Sequence, residues 1–133
     1  MKQGTIWRVN LDPSVGVEMK KNRPCVIVNS NRIGKLPLKI VAPLTDFKQH
    51  YKKVPWMVIV EPTKENRLLK ASVIDLFQVR SVSQKRLVTK LGIIDGNIMD
   101  AYDNVFSDES IRKEQYNCVR WFDGLGSDEG QEW

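Results

Sequence analysis

The side chains best suited to chemistry are gathered in the stretch 12–24, where Glu18 is followed by Lys20, Lys21 and Arg23. Such a set suits the cleavage of RNA without a metal. In that reaction the 2′-hydroxyl attacks the neighbouring phosphate, so the site must supply a base, donors to the charged transition state and a donor to the leaving oxygen. A guanidinium answers the middle need, because its planar fork makes two parallel hydrogen bonds to phosphate oxygens and stays charged. Preorganised donors of this kind contribute about 3 to 4 kcal/mol each. The same residues admit a structural reading, in which Arg23 braces the loop through an ion pair with Glu18 or Asp12. Residue types alone leave both readings open.

Other chemistries are disfavoured. His50, the sole histidine, lies in a lysine-rich loop-like stretch, and no Gly-x-Ser-x-Gly elbow accompanies it. A Gly-x-x-x-x-Gly-Lys-Ser/Thr phosphate loop is missing, and so are closely spaced carboxylates for a two-metal nuclease. Cys25 sits in an apolar run and Cys118 in a polar one, with no Cys-x-x-Cys or Cys/His spacing. Neither a metal nor a cofactor is expected.

The charge is divided along the chain. Residues 1–106 carry a net charge of +9 and residues 107–133 a net of −4. A basic body favours a polyanion such as RNA through counterion release. Lys48, Lys52 and Lys53 stand near Tyr51 and Trp56, which makes this segment the best candidate for basic-plus-aromatic contact with unpaired bases. Trp7, Trp56 and Phe77 fit a packed core equally well. No apolar run approaches the roughly 20 residues of a membrane-spanning helix, and no signal-peptide core follows Met1. A cytoplasmic protein is expected.

The elements that must position these residues are short and β-rich. Residues 6–11 alternate with period two and run into the Asp12-Pro13 turn, and 24–29 form an apolar strand. Further strands are predicted at 39–42, 56–60 and 72–80. Ile98, Met99, Tyr102, Val105 and Phe106 recur at helical spacing, so a helix is predicted over 97–106, with a possible extension to about 121–122. The glycine- and acid-rich end is expected to be disordered. The expected class is mainly β with a C-terminal helix.

In order and spacing, several segments resemble the MazF/PemK family. They are Gly4 with Ile6-Trp7-Arg8-Val9-Asn10-Leu11-Asp12-Pro13, Val15-Gly16-Val17-Glu18, Asn22-Arg23-Pro24, Ala42-Pro43-Leu44-Thr45, the 72–80 strand with Gln78, and Lys85-Arg86-Leu87 with Leu91-Gly92. The resemblance covers about residues 3–106. It implies an SH3-like plug-type β-barrel of the CcdB/MazF/PemK kind over 1–106, followed by a helical extension at 107–133. It further implies a homodimer that cuts single-stranded RNA at a short sequence, leaves 2′,3′-cyclic phosphate and 5′-hydroxyl ends, and is inhibited by a cognate antitoxin.

The catalytic pair of the family falls on Arg23 and Thr45, with Glu18 as the third member and candidate base. RNA-binding positions are expected at Lys20, Lys21, Lys48, Lys52, Lys53, Trp56, Ser72 and Gln78, although Ser72 and Gln78 could equally satisfy backbone groups. Thr5, Met19 and Phe77 depart from the family pattern. A CcdB-like gyrase-binding toxin and a non-catalytic RNA-binding barrel are the alternatives, because a shared architecture does not fix function.

Overall fold

A computed structural model describes residues 1–12, 16, 21–111 and 113. Its strands are β1 (Thr5–Asn10), β2 (Asn22–Ile27), β3 (Leu38–Asp46), β4 (Met57–Val60), β5 (Ser72–Asp75), β6 (Arg80–Ser83) and β7 (Leu87–Ile93). One helix, α1 (Gly96–Phe106), follows them. The sheet is antiparallel in the order β4-β5-β3-β2-β1-β7, and β6 also pairs with β3.

β3 organises the molecule. One edge pairs with β2 through residues 41–43. The other pairs first with β6 through 38–41 and then with β5 through 44–46. The single strand expected over 72–80 is therefore two strands on one edge of β3, kinked at a 3₁₀ turn, Leu76–Gln78. Asp75 causes the kink: its side chain accepts a hydrogen bond from the Phe77 amide at 3.0 Å, while Leu76 is buried at 1% exposure. A short polar side chain that caps the backbone competes with the ladder.

Alternation along the strands sends side chains into two cores. Ile6, Val26, Ala42, Leu44, Val58, Ile74 and Tyr102 share the larger one, against which the apolar side of α1 packs. Val9, Leu11, Cys25, Ile27, Val41 and Val82 form the smaller one on the opposite side. Burying a side chain as large as Ile74 contributes about 1.5 to 3 kcal/mol.

The expected barrel is an open, bent sheet. Among the described residues no ladder joins β4 to β7; instead the 61–71 loop reaches β7, where the Ile93 amide donates to the Glu65 carbonyl at 3.0 Å. β7 was not among the expected strands: Val88, Thr89 and Lys90 are all exposed, so its alternation is weak. The helix also differs from expectation. Asp95 caps the α1 N-terminus by accepting from the Ile98 amide at 3.0 Å. Ser107 ends the helix, and a new helical turn starts at 109–111, where Asp108 accepts from the Ser110 amide at 2.9 Å. The expected continuation of one helix is thus interrupted at 107. Residues 114–133, with Cys118 and the acid-rich end, lie outside the described residues.

Candidate active site

Arg23 and Thr45 stand on two adjacent strands, β2 and β3. The β2–β3 ladder pairs Ile27 with Val41, Val26 with Ala42 and Cys25 with Pro43. The ladder ends there; its register, extended by two residues, sets Arg23 across from Thr45. Antiparallel partners share a face of the sheet, so both side chains lie on the side of Cys25 and the smaller core. Thr45 sits on the half of β3 that pairs with β5, opposite Val73. Both residues are partly exposed, as groups that meet a substrate must be.

Burial pushes the Cys25 thiol up to about 12, while the positive charges of Arg80 and Arg23 pull the other way. At neutral pH this thiol is protonated and enclosed, so Cys25 is a packing residue and no nucleophile. Arg80, opposite Val41, sends Nη1 to the Leu11 carbonyl at 3.4 Å. Arg86 Nη1 donates to the Asn10 carbonyl at 3.1 Å and also to the Asp12 carbonyl. The same loop root is closed by the Lys21 amide on Asp12 Oδ1 at 2.9 Å and by the Leu11 amide on the Lys21 carbonyl at 3.0 Å.

Arg80 and Arg86 were not among the expected site residues. Their partners lie 69 to 76 positions away in the chain, beyond the reach of local spacing. A faint signal existed in Arg80, a cation between Val79 and Val82 in a β-branched run, since a half-buried charge must find acceptors.

The remaining expected residues fall in three places. Glu18 and Lys20 lie outside the described residues, and Lys21 is exposed at the loop root with φ 63°. Lys48, Lys52 and Lys53 are exposed on the segment that follows β3, and Lys52 Nζ stands 6.0 Å from the Phe47 ring centre. His50 is exposed beside Tyr51, as expected for a loop residue. Trp56 packs on the larger core, 5.0 Å from Phe77. Ser72 Oγ donates to the Lys70 carbonyl at 3.1 Å, and Gln78 Nε2 donates to Asp75 Oδ2 at 3.1 Å. Among the described residues no group of three or more His, Cys, Asp or Glu is placed to hold a metal, and no helix is long and apolar enough to cross a membrane.

Asp75 gives a test of the kink. Burial raises its pKa, opposed by the hydrogen bonds from Phe77 and Gln78. A raised folded-state value means that the stability linked to protonation is complete below the unfolded value of about 3.9 and is lost as pH rises through the folded value. Asp75→Asn, uncharged throughout, should therefore gain melting temperature relative to wild type as pH rises from about 4 to 7. A difference that stays flat across that range would contradict the burial assigned to Asp75.

Comparison with known proteins identifies the family of the chain. The family described as "PemK-like, MazF-like toxin of type II toxin-antitoxin system" matches residues 2–108. The chain belongs to this family. A MazF endoribonuclease of Staphylococcus epidermidis is 35% identical over 105 residues, covering 78% of this chain and 86% of the relative. Among solved structures, a mycobacterial endoribonuclease in complex with its cognate antitoxin is similar with a TM-score of 0.65 at 15% identity, over 85% of this chain and 95% of that one. MazF of Deinococcus radiodurans follows with 0.62 at 18% identity, over 79% and 91%. At such identities the structural likeness speaks for the fold. The family's toxin fold thus accommodates the open strand path seen here.

Proposed function

We propose that Arg23 and Thr45 perform the RNA cleavage of this MazF-type endoribonuclease toxin, with residues 1–106 as the catalytic domain and 107–133 as an appended extension. The observation that supports this reading is the β2–β3 register, which, carried two residues past Cys25 and Pro43, puts Arg23 and Thr45 across from each other on neighbouring strands. The substrate is single-stranded RNA. Its 2′-oxygen forms a new bond to phosphorus as the bond to the 5′-oxygen breaks, leaving a 2′,3′-cyclic phosphate and a 5′-hydroxyl. Arg23 neutralises the extra negative charge on the phosphoryl oxygens. Thr45 donates to the same group, and Glu18 takes the 2′-hydroxyl proton. Lys20, Lys21, Lys48, Lys52 and Lys53 hold flanking phosphates. Trp56 and Gln78 are the base-contact candidates, whereas Ser72, paired with Asp46 on the other face and bonded to the Lys70 carbonyl, takes a structural role.

A time course on a long single-stranded RNA in EDTA tests this reading. Wild type should give discrete cuts with cyclic-phosphate ends, and Thr45→Ala should cut at the same positions about tenfold or more slowly. Intact RNA after incubation with folded, antitoxin-free wild type would refute it.

The partners follow from the same reading: a cognate antitoxin, as seen with the mycobacterial relative, and a second copy of the chain, all within the cytoplasm. Dimerisation is supported by Leu36, Leu38 and Ile40, which expose 48%, 45% and 41% of their surface along the start of β3. Contiguous exposed apolar side chains of this kind mark interaction sites. Ile40→Glu should convert the dimer to monomer in sedimentation equilibrium; an unchanged mass would place the interface elsewhere.

A further inference from the structure

Where the chain leaves β2 and turns back into β3 it encloses a cavity of about 410 Å³, whose lining includes Lys2, Asn29, Ser30, Asn31 and Lys39. Lys39 precedes Thr45 by six residues on β3, roughly 20 Å at the rise of a strand, so the cavity is separate from the catalytic pair. Its volume falls within the range of small-ligand pockets.

Lys39 gives the cavity its character. The residue is 5% exposed, yet among the described residues no carboxylate pairs with it. Its ammonium donates to the Leu36 carbonyl at 3.2 Å, which leaves two of its three donors over. A buried charge is ordinarily paired, because burial removes the water that would otherwise solvate it.

The polar groups around Lys39 already have their acceptors engaged. Asn29 Oδ1 takes the Ile40 amide at 2.9 Å, Asn31 Oδ1 the Gln3 amide at 2.8 Å and Ser30 Oγ the Arg32 amide at 3.1 Å. The Lys2 carbonyl takes the Thr5 amide and hydroxyl, and the Ser30 carbonyl takes Asn29 Nδ2. Donors remain: the ammonium groups of Lys39 and Lys2 and the side-chain amide of Asn31, with no carboxylate in the lining. Such a lining rejects a cation and suits a ligand made of acceptors. Three separate donors, two of them charged, match the several oxygens and double charge of a phosphate better than the two oxygens and single charge of a carboxylate.

We infer that this cavity binds a phosphate group, with Lys39 and Lys2 meeting its charge and Asn31 Nδ2 donating to one of its oxygens. Such a group exists both as the free anion and along a nucleic-acid strand.

Inorganic phosphate is titrated by calorimetry, at constant ionic strength, into the full chain carrying Arg23→Ala, so that the catalytic guanidinium takes no part. Binding should saturate at one phosphate per chain. Asn31→Asp keeps the oxygen that receives the Gln3 amide but exchanges the donor for negative charge, and should weaken phosphate about tenfold or more. Lys39→Met, which keeps the length of the stem, should do the same; should it not fold, Asn31→Asp decides alone. Lys35→Gln, an exposed position outside the lining, should leave the affinity within about twofold. A fully 2′-deoxy analogue of the RNA substrate, titrated against the chain with Arg23 intact, assigns the source. If Asn31→Asp weakens it well beyond Lys35→Gln, the phosphate is the strand's; if the two variants weaken it equally, the ligand is the free anion. No saturable phosphate binding, or an affinity unchanged in Asn31→Asp, overturns the inference.

Discussion

Arg23→Ala should lower kcat for RNA cleavage by about 10² to 10³ while leaving the melting temperature nearly unchanged, because the lost donor acts on charge that appears only in the transition state. The side chain is half-buried at the rim of the smaller core, so its removal opens no large cavity. Arg23→Lys should recover only a small part of the rate. A lysine restores the charge but cannot present two parallel N–H groups to two phosphoryl oxygens. The measurement is single-turnover cleavage of a short RNA at saturating enzyme, with unfolding followed in parallel. Should Arg23→Ala instead lower stability and rate together, with Arg23→Lys restoring both, the residue is a brace of the loop root, and catalysis must be sought elsewhere.

The second large effect is on stability, at Gly92. A Cβ placed there would lie 2.4 Å from the Asn66 carbonyl oxygen and 2.8 Å from that of Glu65. Both are backbone atoms, so no side chain can swing aside. Gly92→Ala must push the 61–71 loop off β7, straining the Ile93 amide to Glu65 carbonyl bond and the hydrogen bonds around Asn66. The expected cost is about 3 kcal/mol, at the upper end for overpacking, or roughly 10 °C in melting temperature for a chain of this size. Calorimetry of the variant checks it. A melting temperature within about 2 °C of wild type would mean that the loop does not rest on β7 as described.

Sequence and structure agree where local periodicity carries the information. β1, β2, β4 and α1 stand close to the expected positions because alternation and helical spacing are properties of neighbouring residues. The kink at Asp75 was hidden, since an aspartate in an apolar run shows its capping role only once Leu76 is buried beside it. β7 escaped notice because a strand with one solvated face and a glycine near its end has little pattern to offer. At the site, the family motif points to Arg23 and Thr45, which lie far apart in the chain but on the neighbouring strands β2 and β3. Arg80 and Arg86 act through carbonyl acceptors that any residue could provide, so no residue type marks their partners.

Those two arginines also bear on when the toxin can become dangerous to the cell that makes it. A nascent chain that has emerged only as far as residue 79 already contains Arg23 and Thr45, yet lacks both guanidinium groups that fasten Asn10, Leu11 and Asp12 at the loop root. The same unfinished chain lacks β6 on one edge of β3 and β7 beside β1. Competence to cut RNA is thereby deferred to the last third of synthesis, and a message severed partway through translation yields a fragment with Arg23 and Thr45 but without the clasp at the loop root.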